Sequence, residues 1–236
     1  MDRVVVSIGG SIFLTDKGPE PALARDIADV LERAAKTCRV FAVVGGGSTA
    51  RTYIRAAREL GVDESALDEL GIAITRVNAR VLLGALPDAY PRPAESFDEA
   101  LLASRSHPIV VMGGTHPGHT TDAVATMLAE KARAHRLVIA TNVDGVYDRD
   151  PRKHPDAKLL SRLSAQELVH ITRDATQEAG SAGVIDPTGV KILARSGLEC
   201  RVVNGRKFEE LRKALLGEPF HGSVVEARGR PGGGKA

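Results

Sequence analysis

Three short β-branched runs in this chain each end in a glycine turn, and a segment with helical spacing follows each turn. Repetition of strand, glycine turn and helix is typical of an α/β protein with a mainly parallel sheet. We therefore predict that class of fold, with helices flanking the sheet. The runs and their turns are Val4 to Ile8 with Gly9-Gly10, Val40 to Val44 with Gly45-Gly46-Gly47, and Ile109 to Met112 with Gly113-Gly114.

The composition favours a folded α/β chain and argues against a polynucleotide-binding protein. Of the 236 residues 43% are hydrophobic, but only 5 Phe and 3 Tyr are aromatic and Trp is absent. The core is therefore expected to consist of Val, Ile, Leu and Ala, as in a buried parallel sheet. The 32 basic and 30 acidic side chains give a formal net charge of +2. This balance, and the shortage of aromatic surface for stacking bases, argue against a nucleic acid polymer as the main partner.

The cysteines and the N-terminus predict the compartment. Cys38 and Cys200 lie far apart in the sequence, which indicates neither a disulfide framework nor a zinc cluster. We expect both to be buried thiols in a reducing cytosol. No apolar run approaches the roughly 18 residues of a membrane span, and the first residues enter a strand without the layout of a signal peptide. The sequence therefore predicts a soluble, cytoplasmic protein with no membrane partner.

Apolar spacing predicts the remaining elements. One face of a helix is apolar from Leu23 to Ala34 and again from Val124 to Ala132. A longer helix is predicted from Ser65 to Leu86, and we expect its apolar stripe to be shared between the core and a subunit interface. That stripe consists of Leu67, Leu70, Ile74, Val77 and Val81. The other predicted elements are strands from Arg136 to Ala140 and from Glu199 to Val203, a hairpin and loop between residues 142 and 160, a helix from Phe208 to Leu216, and a disordered basic tail at residues 227–236.

The glycine turns predict a phosphate site. Glycine directly after a strand lets backbone N–H groups approach an anion, and the helix that follows adds a favourable dipole. Three such turns in one parallel sheet meet at the same edge, because ligands bind at the carboxyl ends of the strands. No G-x-G-x-x-G motif is present, and His119 stands where a Walker A loop needs lysine. We therefore favour a phosphate site that is neither a dinucleotide fold nor a P-loop.

The segment from Thr115 to Asp122 has two interpretations. It offers several hydroxyls and imidazoles directly before a predicted helix, a combination suited to holding a phosphate monoester. Alternatively, Thr120 or Thr121 only caps the helix and the histidines are exposed. We favour the phosphate interpretation.

Two further charged residues lie near predicted helix starts. Asp186-Pro187 opens a helix, with Asp as the cap and Pro in the first turn. Lys191 follows one turn later, and its spacing fits a surface residue as well as a functional one. Asp122 is equally ambiguous by itself, because the helix dipole favours an acidic residue near any helix start.

Six motifs of the chain fit one known family. They are Gly9-Gly10-Ser11; Val43-Val44-Gly45-Gly46-Gly47 with Ala50-Arg51; Gly71-Ile72-x-x-Thr75-Arg76-x-Asn78-Ala79; Gly113-Gly114-Thr115-His116-Pro117-Gly118-His119-Thr120-Thr121-Asp122; Thr141-Asn142-Val143-Asp144-Gly145-Val146-Tyr147; and Val184-Ile185-Asp186-Pro187 with Lys191. Together they resemble the archaeal-type UMP kinases, a branch of the amino-acid kinase family. The resemblance extends from residue 3 to about residue 226, and its long fourth motif is highly specific.

The resemblance implies a three-layer α/β/α fold, phosphoryl transfer from ATP to UMP, and a homohexamer built as a trimer of dimers. It places the UMP site and subunit contacts in an N-terminal lobe, residues 1–114, and the ATP site in a C-terminal lobe, residues 115–226. The UMP site it implies comprises Gly46, Arg51, Asp68, Thr115, His116, Pro117, Gly118, His119, Thr120 and Thr121. The implied ATP site comprises Gly9, Gly10, Gly47, Arg51, Thr141, Asn142, Tyr147 and Asp150.

The same resemblance implies roles for individual residues. Asp68 is expected to accept hydrogen bonds from the ribose hydroxyls, and Lys191 to contact the transferring phosphoryl group. Asp122 is expected to hold charged side chains in position, and Gly9 and Gly10 to face the phosphates. Many family members carry a lysine before the first glycine pair, whereas this chain has Ser7 at the corresponding position. Lys191, Arg51, Mg²⁺ and backbone amides are then the candidates for supplying the missing charge.

The expected chemistry needs neither a general base nor a metal held by the protein. The second pKa of a phosphate monoester is about 6, so the acceptor is already largely ionised at neutral pH. Mg²⁺ is expected only on the ATP phosphates. His116 and His119 are separated by Pro117 and Gly118, without a cysteine or clustered carboxylates nearby in the sequence, which disfavours a resident metal site.

Other functions remain open at this stage. Within the same fold, the rivals are kinases of isopentenyl phosphate, carbamate and N-acetylglutamate. The isopentenyl phosphate branch typically has a histidine after its glycine triplet, whereas this chain has Ser48-Thr49-Ala50-Arg51. A non-catalytic relative that stores or senses a ligand is the alternative from another class, and the presence of Asp122, Asp186 and Lys191 argues against it.

Overall fold

A seven-stranded sheet with helices on both faces forms the framework. The computed structural model describes residues 1–15, 18–177 and 185–226, with the backbone alone for 173–177. The strands in these ranges are β1 (Asp2–Ile8), β2 (Leu14–Thr15), β3 (Gly18–Pro19), β4 (Cys38–Val44), β5 (Ile109–Met112), β6 (Arg136–Thr141), β7 (Arg162–Ser164), β8 (Cys200–Asn204) and β9 (Ser223–Glu226). The helices are α1 (Pro21–Ala35), α2 (Gly47–Glu59), α3 (Glu64–Leu83), α4 (Phe97–Ala103), α5 (Thr121–Lys131), α6 (Ala165–Gln177), α7 (Pro187–Ser196) and α8 (Phe208–Leu216).

The order of the strands brings the predicted glycine turns to one edge. The sheet runs β5-β4-β1-β6-β8-β9-β7. Its first five strands are mutually parallel, β9 pairs antiparallel with β8, and β7 runs parallel to β9. The carboxyl ends of β5, β4, β1, β6 and β8 therefore share an edge, and the predicted α/β class with a mainly parallel sheet is confirmed.

Side-chain alternation along the strands builds a core on each face of the sheet. Val4, Val6 and Ile8 of β1 are fully buried against the layer that contains α1, α3 and α8. Val5 points to the opposite layer, which contains α4, α5 and α7. The core is mainly aliphatic, as the composition predicts, although Phe13 and Phe41 are fully buried in it, and both cysteines are buried free thiols.

The long helix α3 is shorter than predicted, and only part of its predicted apolar stripe is buried. It ends at Leu83 rather than Leu86, because Gly84 takes the C-cap position and Pro87 follows. The predicted apolar stripe is only partly core, since the side chains of Val77 and Val81 are 59% and 39% exposed. The buried residues of the helix are instead Leu67, Thr75, Asn78, Ala79 and Leu82.

The segment after β6 forms the predicted hairpin and loop. A single antiparallel bridge joins Tyr147 to Leu159, and the N–H of Leu160 donates to the carbonyl of Val146 at 2.8 Å. Val184 and the basic tail, residues 227–236, lie outside the described residues. Within the described part of the chain, no helix is both long enough and apolar enough to cross a membrane.

Candidate active site

The turns that follow β1 and β4 pack directly against each other. A Cβ added to Gly10 would lie 2.1 Å from the backbone nitrogen of Gly47, so neither turn has room for a side chain at this point. Gly47 also has a φ of +64°, a left-handed conformation that favours glycine. The N–H of Gly45 donates to the carbonyl of Ile8 at 2.9 Å, which ties the second turn to the end of β1. The structure thus brings together the glycines predicted to face the phosphates.

Two buried polar side chains of α3 hold the glycine turns from behind. The amide of Asn78 donates to the carbonyls of Gly45 and Gly46, at 2.9 and 3.2 Å. The hydroxyl of Thr75 accepts from the N–H of Gly114 at 2.7 Å. Neither residue had a predicted role. Both are polar residues on the inward face of a helix, and because buried polar groups are nearly always hydrogen-bonded, that position is the feature that could have indicated their role.

The segment from Thr115 to Thr120 crosses the same edge after β5. The N–H of Gly118 donates to a carboxylate oxygen of Asp68 on α3 at 2.7 Å, so a residue predicted for the ribose also holds this segment. His116, Pro117 and His119 are exposed. Thr115 is different, because its buried Oγ1 has no hydrogen-bond partner among the described residues. A polar ligand bound here would satisfy that hydroxyl.

The start of α5 carries the helix cap that the alternative interpretation of this segment named, and a carboxyl beside the first glycine turn. The Thr120 hydroxyl accepts from the N–H of Ala123 at 3.3 Å and caps the helix. Thr121 lies against Gly45, where an added Cβ would be 3.3 Å from its hydroxyl. Asp122 accepts a 2.6 Å hydrogen bond from the Ser7 hydroxyl. Burial raises the pKa of Asp122 to about 6, opposed by the Ser7 hydrogen bond and reinforced by the nearby charge of Asp186.

The start of α7 lies against α5. Asp186 caps α7, and its carboxylate accepts from the N–H groups of Thr188 and Gly189 at 2.8 and 3.2 Å, as predicted. Gly189 allows a close approach of the two helices, since a Cβ there would be 3.3 Å from the Thr126 hydroxyl of α5. Lys191 is exposed one turn further on, and it makes no hydrogen bond or ion pair with any described residue.

The other residues predicted for ATP lie at the end of β6 and in the loop after it, beside the first glycine turn. The N–H of Gly9 donates to the carbonyl of Ala140 at 3.0 Å, which places Thr141 next to this turn. Asn142 accepts from the Arg152 guanidinium at 2.7 Å, and Asp150 accepts from the N–H of Arg152 at 2.9 Å. A single arginine therefore joins two of the predicted ATP residues. Tyr147, by contrast, is joined to Leu159 in the hairpin, and none of its described contacts links it to the glycine turns.

Arg51 stands apart from the hydrogen-bonded part of the site. It lies on the first turns of α2, directly after the second glycine turn, and its side chain is exposed. It has no hydrogen bond or ion pair within the described ranges. Its guanidinium is therefore available to an anionic ligand, as is the Lys191 ammonium.

A second ionic group lies near the ATP side and was not predicted. Asp144 bonds to the Lys207 ammonium at 2.8 Å and to the Asn204 amide at 3.1 Å. The Lys207 hydrogen bond, followed by that of Asn204, lowers the pKa of Asp144. These contacts tie the loop after β6 to the carboxyl end of β8, although Asp144 is about 60 residues from Asn204 and Lys207 in the sequence.

Comparison with known proteins identifies the family. The sequence profile described as "Amino acid kinase family" matches residues 2–204. The chain belongs to the amino acid kinase family. Among its relatives, uridylate kinase of Methanococcus aeolicus is 44% identical over 225 residues, which cover 94% of this chain and 99% of that protein. Uridylate kinase of Methanocaldococcus jannaschii is 45% identical over 226 residues, with 95% and 99% covered.

Solved structures agree with this amino acid kinase assignment. Uridylate kinase of Archaeoglobus fulgidus superposes with a TM-score of 0.85 at 43% identity, covering 95% of this chain and 100% of that one. UMP kinase of Bacillus anthracis gives a TM-score of 0.80 at 21% identity, with 97% of each chain covered, and demonstrates the shared fold alone. The family resemblance carried by the six motifs is confirmed.

Proposed function

We propose that this amino acid kinase transfers the γ-phosphoryl group of ATP to UMP, giving UDP and ADP. The observation that carries the proposal is the 44% to 45% identity to uridylate kinases over at least 94% of this chain and 99% of those proteins. The family profile, which matches residues 2–204, spans every residue that we place in the UMP and ATP sites. The paired glycine turns, with their backbone N–H groups and adjoining helix N-termini, supply the anion-binding geometry that two phosphate chains require.

The chain needs no catalytic base for this reaction. The acceptor is the UMP phosphate, whose second pKa of about 6 leaves it largely ionised at neutral pH. Catalysis then depends on holding donor and acceptor in line and on neutralising the charge of the moving phosphoryl group. We assign the positioning to the turns at Gly10 and Gly47, and the neutralisation to Lys191. Arg51 is assigned to the UMP phosphate, because it lies directly after the second turn and has no protein partner among the described residues.

We assign Mg²⁺ to the substrate rather than to the protein. No group of three or more His, Cys, Asp or Glu side chains within the described ranges has a metal-binding arrangement. Phosphate oxygens and water are the ligands that Mg²⁺ prefers, so it arrives as a complex with ATP. When bound, it neutralises part of the charge on the transferring phosphates.

We further propose that the enzyme is cytoplasmic and that it forms a homohexamer through the neighbouring helices α2 and α3. These helices and the loop between them expose large apolar side chains in the single chain: Tyr53, Leu60, Val62, Val77 and Val81. Burial of such side chains between subunits is the common use of an exposed apolar surface. Light scattering after size exclusion is expected to give a mass near six subunits. The double variant Val77→Asp, Val81→Asp is expected to give a smaller species, and an unchanged mass would remove α3 from the interface.

The activity is tested by ADP release with Mg–ATP and a panel of acceptors. The panel contains UMP, CMP, dUMP, isopentenyl phosphate and N-acetylglutamate, and we expect UMP to have the highest kcat/KM. The Lys191→Ala variant, purified in parallel, controls for contaminating kinases. A higher kcat/KM for isopentenyl phosphate than for UMP would overturn UMP as the proposed substrate. Absence of turnover with all five acceptors would instead indicate a ligand-binding protein.

A further inference from the structure

A basic cleft lies at the opposite edge of the sheet from the candidate active site. Its volume is about 440 Å³, and its lining residues are Met1, Arg3, Arg39, Leu101, Ser104 and Arg105. Arg3 and Arg39 are each the second residue of their strand, β1 and β4, whereas the glycine turns follow the last residues. Gly9 lies six residues after Arg3, which corresponds to roughly 20 Å at about 3.3 Å per residue of strand. The cleft is therefore separate from the nucleotide sites proposed above.

Strand register forces two of the arginines together. Arg3 and Arg39 are direct partners in the parallel pairing of β1 with β4, so their side chains leave the same face of the sheet side by side. Like charges placed directly opposite in a sheet are destabilising. The third arginine, Arg105, follows the end of α4, which packs on that face. The fold thus concentrates three guanidinium groups around one cleft.

Among the described residues, no acidic side chain lines this cleft. Neither Arg39 nor Arg105 forms a side-chain hydrogen bond or ion pair with any residue that the structure describes, and Arg39 is partly buried. The Arg3 guanidinium has one such contact, a 2.7 Å hydrogen bond to the carbonyl of Ala132. The nearest acid in sequence, Asp2, lies 3.3 Å from the His135 ring and 4.0 Å from Arg136 instead. No acidic side chain in the described part of the chain therefore pairs with these three arginines.

We propose that this cleft binds a small phosphate-bearing anion. Its volume falls within the range of about 300 to 1,000 Å³ that small-molecule sites occupy. Guanidinium groups bind phosphate oxygens through two parallel hydrogen bonds, and three of them match a ligand with several phosphates. Leu101 and Met1 provide an apolar wall beside the arginines. An inorganic polyphosphate uses the arginines alone, whereas a nucleoside triphosphate also uses that wall.

Calorimetric titration of the full-length protein with inorganic tripolyphosphate tests the proposal. The candidate active site is also proposed to bind phosphates. Tripolyphosphate binding is therefore compared between the wild type and variants that leave that site unchanged. The double variant Arg39→Gln, Arg105→Gln is expected to lose one binding site per subunit or to bind there at least tenfold more weakly. The control is Arg25→Gln, which removes an exposed charge from α1 on the other face of the sheet. Equal binding by the wild type and the double variant, or an equal loss in the control, would overturn the proposal.

Thermal unfolding provides an independent measurement. In low salt without ligand, Arg39→Gln is expected to raise the Tm, because it relieves the repulsion with Arg3, and 0.5 M NaCl should reduce the difference. Added tripolyphosphate should raise the Tm of the wild type more than that of the variant. Equal increases in Tm for the wild type and Arg39→Gln on addition of tripolyphosphate would contradict the proposal that the cleft binds this anion. Repeating both measurements with CTP distinguishes the two classes of ligand. Tighter binding of CTP than of tripolyphosphate indicates a nucleotide, and tighter binding of tripolyphosphate indicates an inorganic polyphosphate.

Discussion

The Ser7 hydroxyl donates a 2.6 Å hydrogen bond to the Asp122 carboxyl and thereby joins the end of β1 to the start of α5. The family resemblance places Ser7 where many amino acid kinases carry a lysine, and Ser7 puts a neutral donor beside that carboxyl. Within the described residues, Asp122 is paired with no cationic side chain, and its proposed role of holding charged groups is limited here to orienting Ser7. Within the described residues, we propose Lys191 and Arg51 as the cationic side chains for the phosphates.

The buried carboxyl makes the stability of the fold depend on pH. The pKa of Asp122 is about 6 in the folded state against an ordinary aspartate value of 3.8, so the unfolded chain loses its proton first as the pH rises. Stability therefore falls between about pH 4 and pH 6, and a shift of that size costs on the order of 3 kcal/mol at higher pH. Asp122→Asn, which cannot ionise, is expected to be more stable than the wild type by up to that amount at pH 8 and by little at pH 4.

Urea unfolding at pH 4, 5, 6 and 8 measures this difference. Asp88→Asn, at an exposed position, is the control and should show no such trend. The stability difference between Asp122→Asn and the wild type is expected to grow with pH. A difference that stays constant across these pH values would mean that folding does not raise the pKa of Asp122.

Lys191→Ala is expected to lower kcat for UMP by roughly a hundredfold or more, as found for loss of one preorganised contact to the transition state. The KM for UMP should change by only a few-fold, because Lys191 contacts the moving phosphoryl group rather than the acceptor. Steady-state ADP release gives both constants. Lys36→Ala, at another exposed lysine, is the matched control. Near-normal turnover in Lys191→Ala would exclude the residue from catalysis.

Arg51→Ala is expected to raise the KM for UMP by about tenfold or more, since a hydrogen bond between charged groups contributes roughly 1.5 to 3 kcal/mol. The effect on kcat should be smaller. Arg55→Ala removes an exposed arginine one turn further along α2 and should leave the KM nearly unchanged. The same KM in Arg51→Ala and the wild type would remove Arg51 from the acceptor site.

Gly10→Ala is expected to destabilise the protein by more than about 2 kcal/mol and to abolish activity, because the new Cβ would lie 2.1 Å from the nitrogen of Gly47 and backbone must move. Gly71→Ala within α3 is the control. There the added Cβ would be 3.3 Å from the flexible end of Ile54, and alanine favours the helix by up to about 1 kcal/mol. Chemical unfolding and ADP release of both variants give the comparison, and a stable, active Gly10→Ala would refute the close packing of the two turns.

Local interactions explain what could be predicted from the sequence. The bounds of β5 and α8 agree with the predicted ranges, because runs of β-branched residues and helical periodicity act between close neighbours. The caps at Thr120 and Asp186 were predictable for the same reason, since each bonds to an N–H two or three residues away. Parallel strands with glycine turns also predicted which edge of the sheet carries the candidate site.

The amino-acid sequence by itself therefore determined the class of fold, the family and the edge of the sheet at which phosphates are expected. Tertiary structure decided which distant residues meet: Ser7 with Asp122, Asp68 with Gly118, and Arg3 with Arg39. It also rotated the buried face of α3 so that Asn78 reaches the glycine turns while Val77 is exposed. Such contacts follow from strand order, register and helix packing, which depend on the whole chain and leave no pattern within a short stretch of sequence.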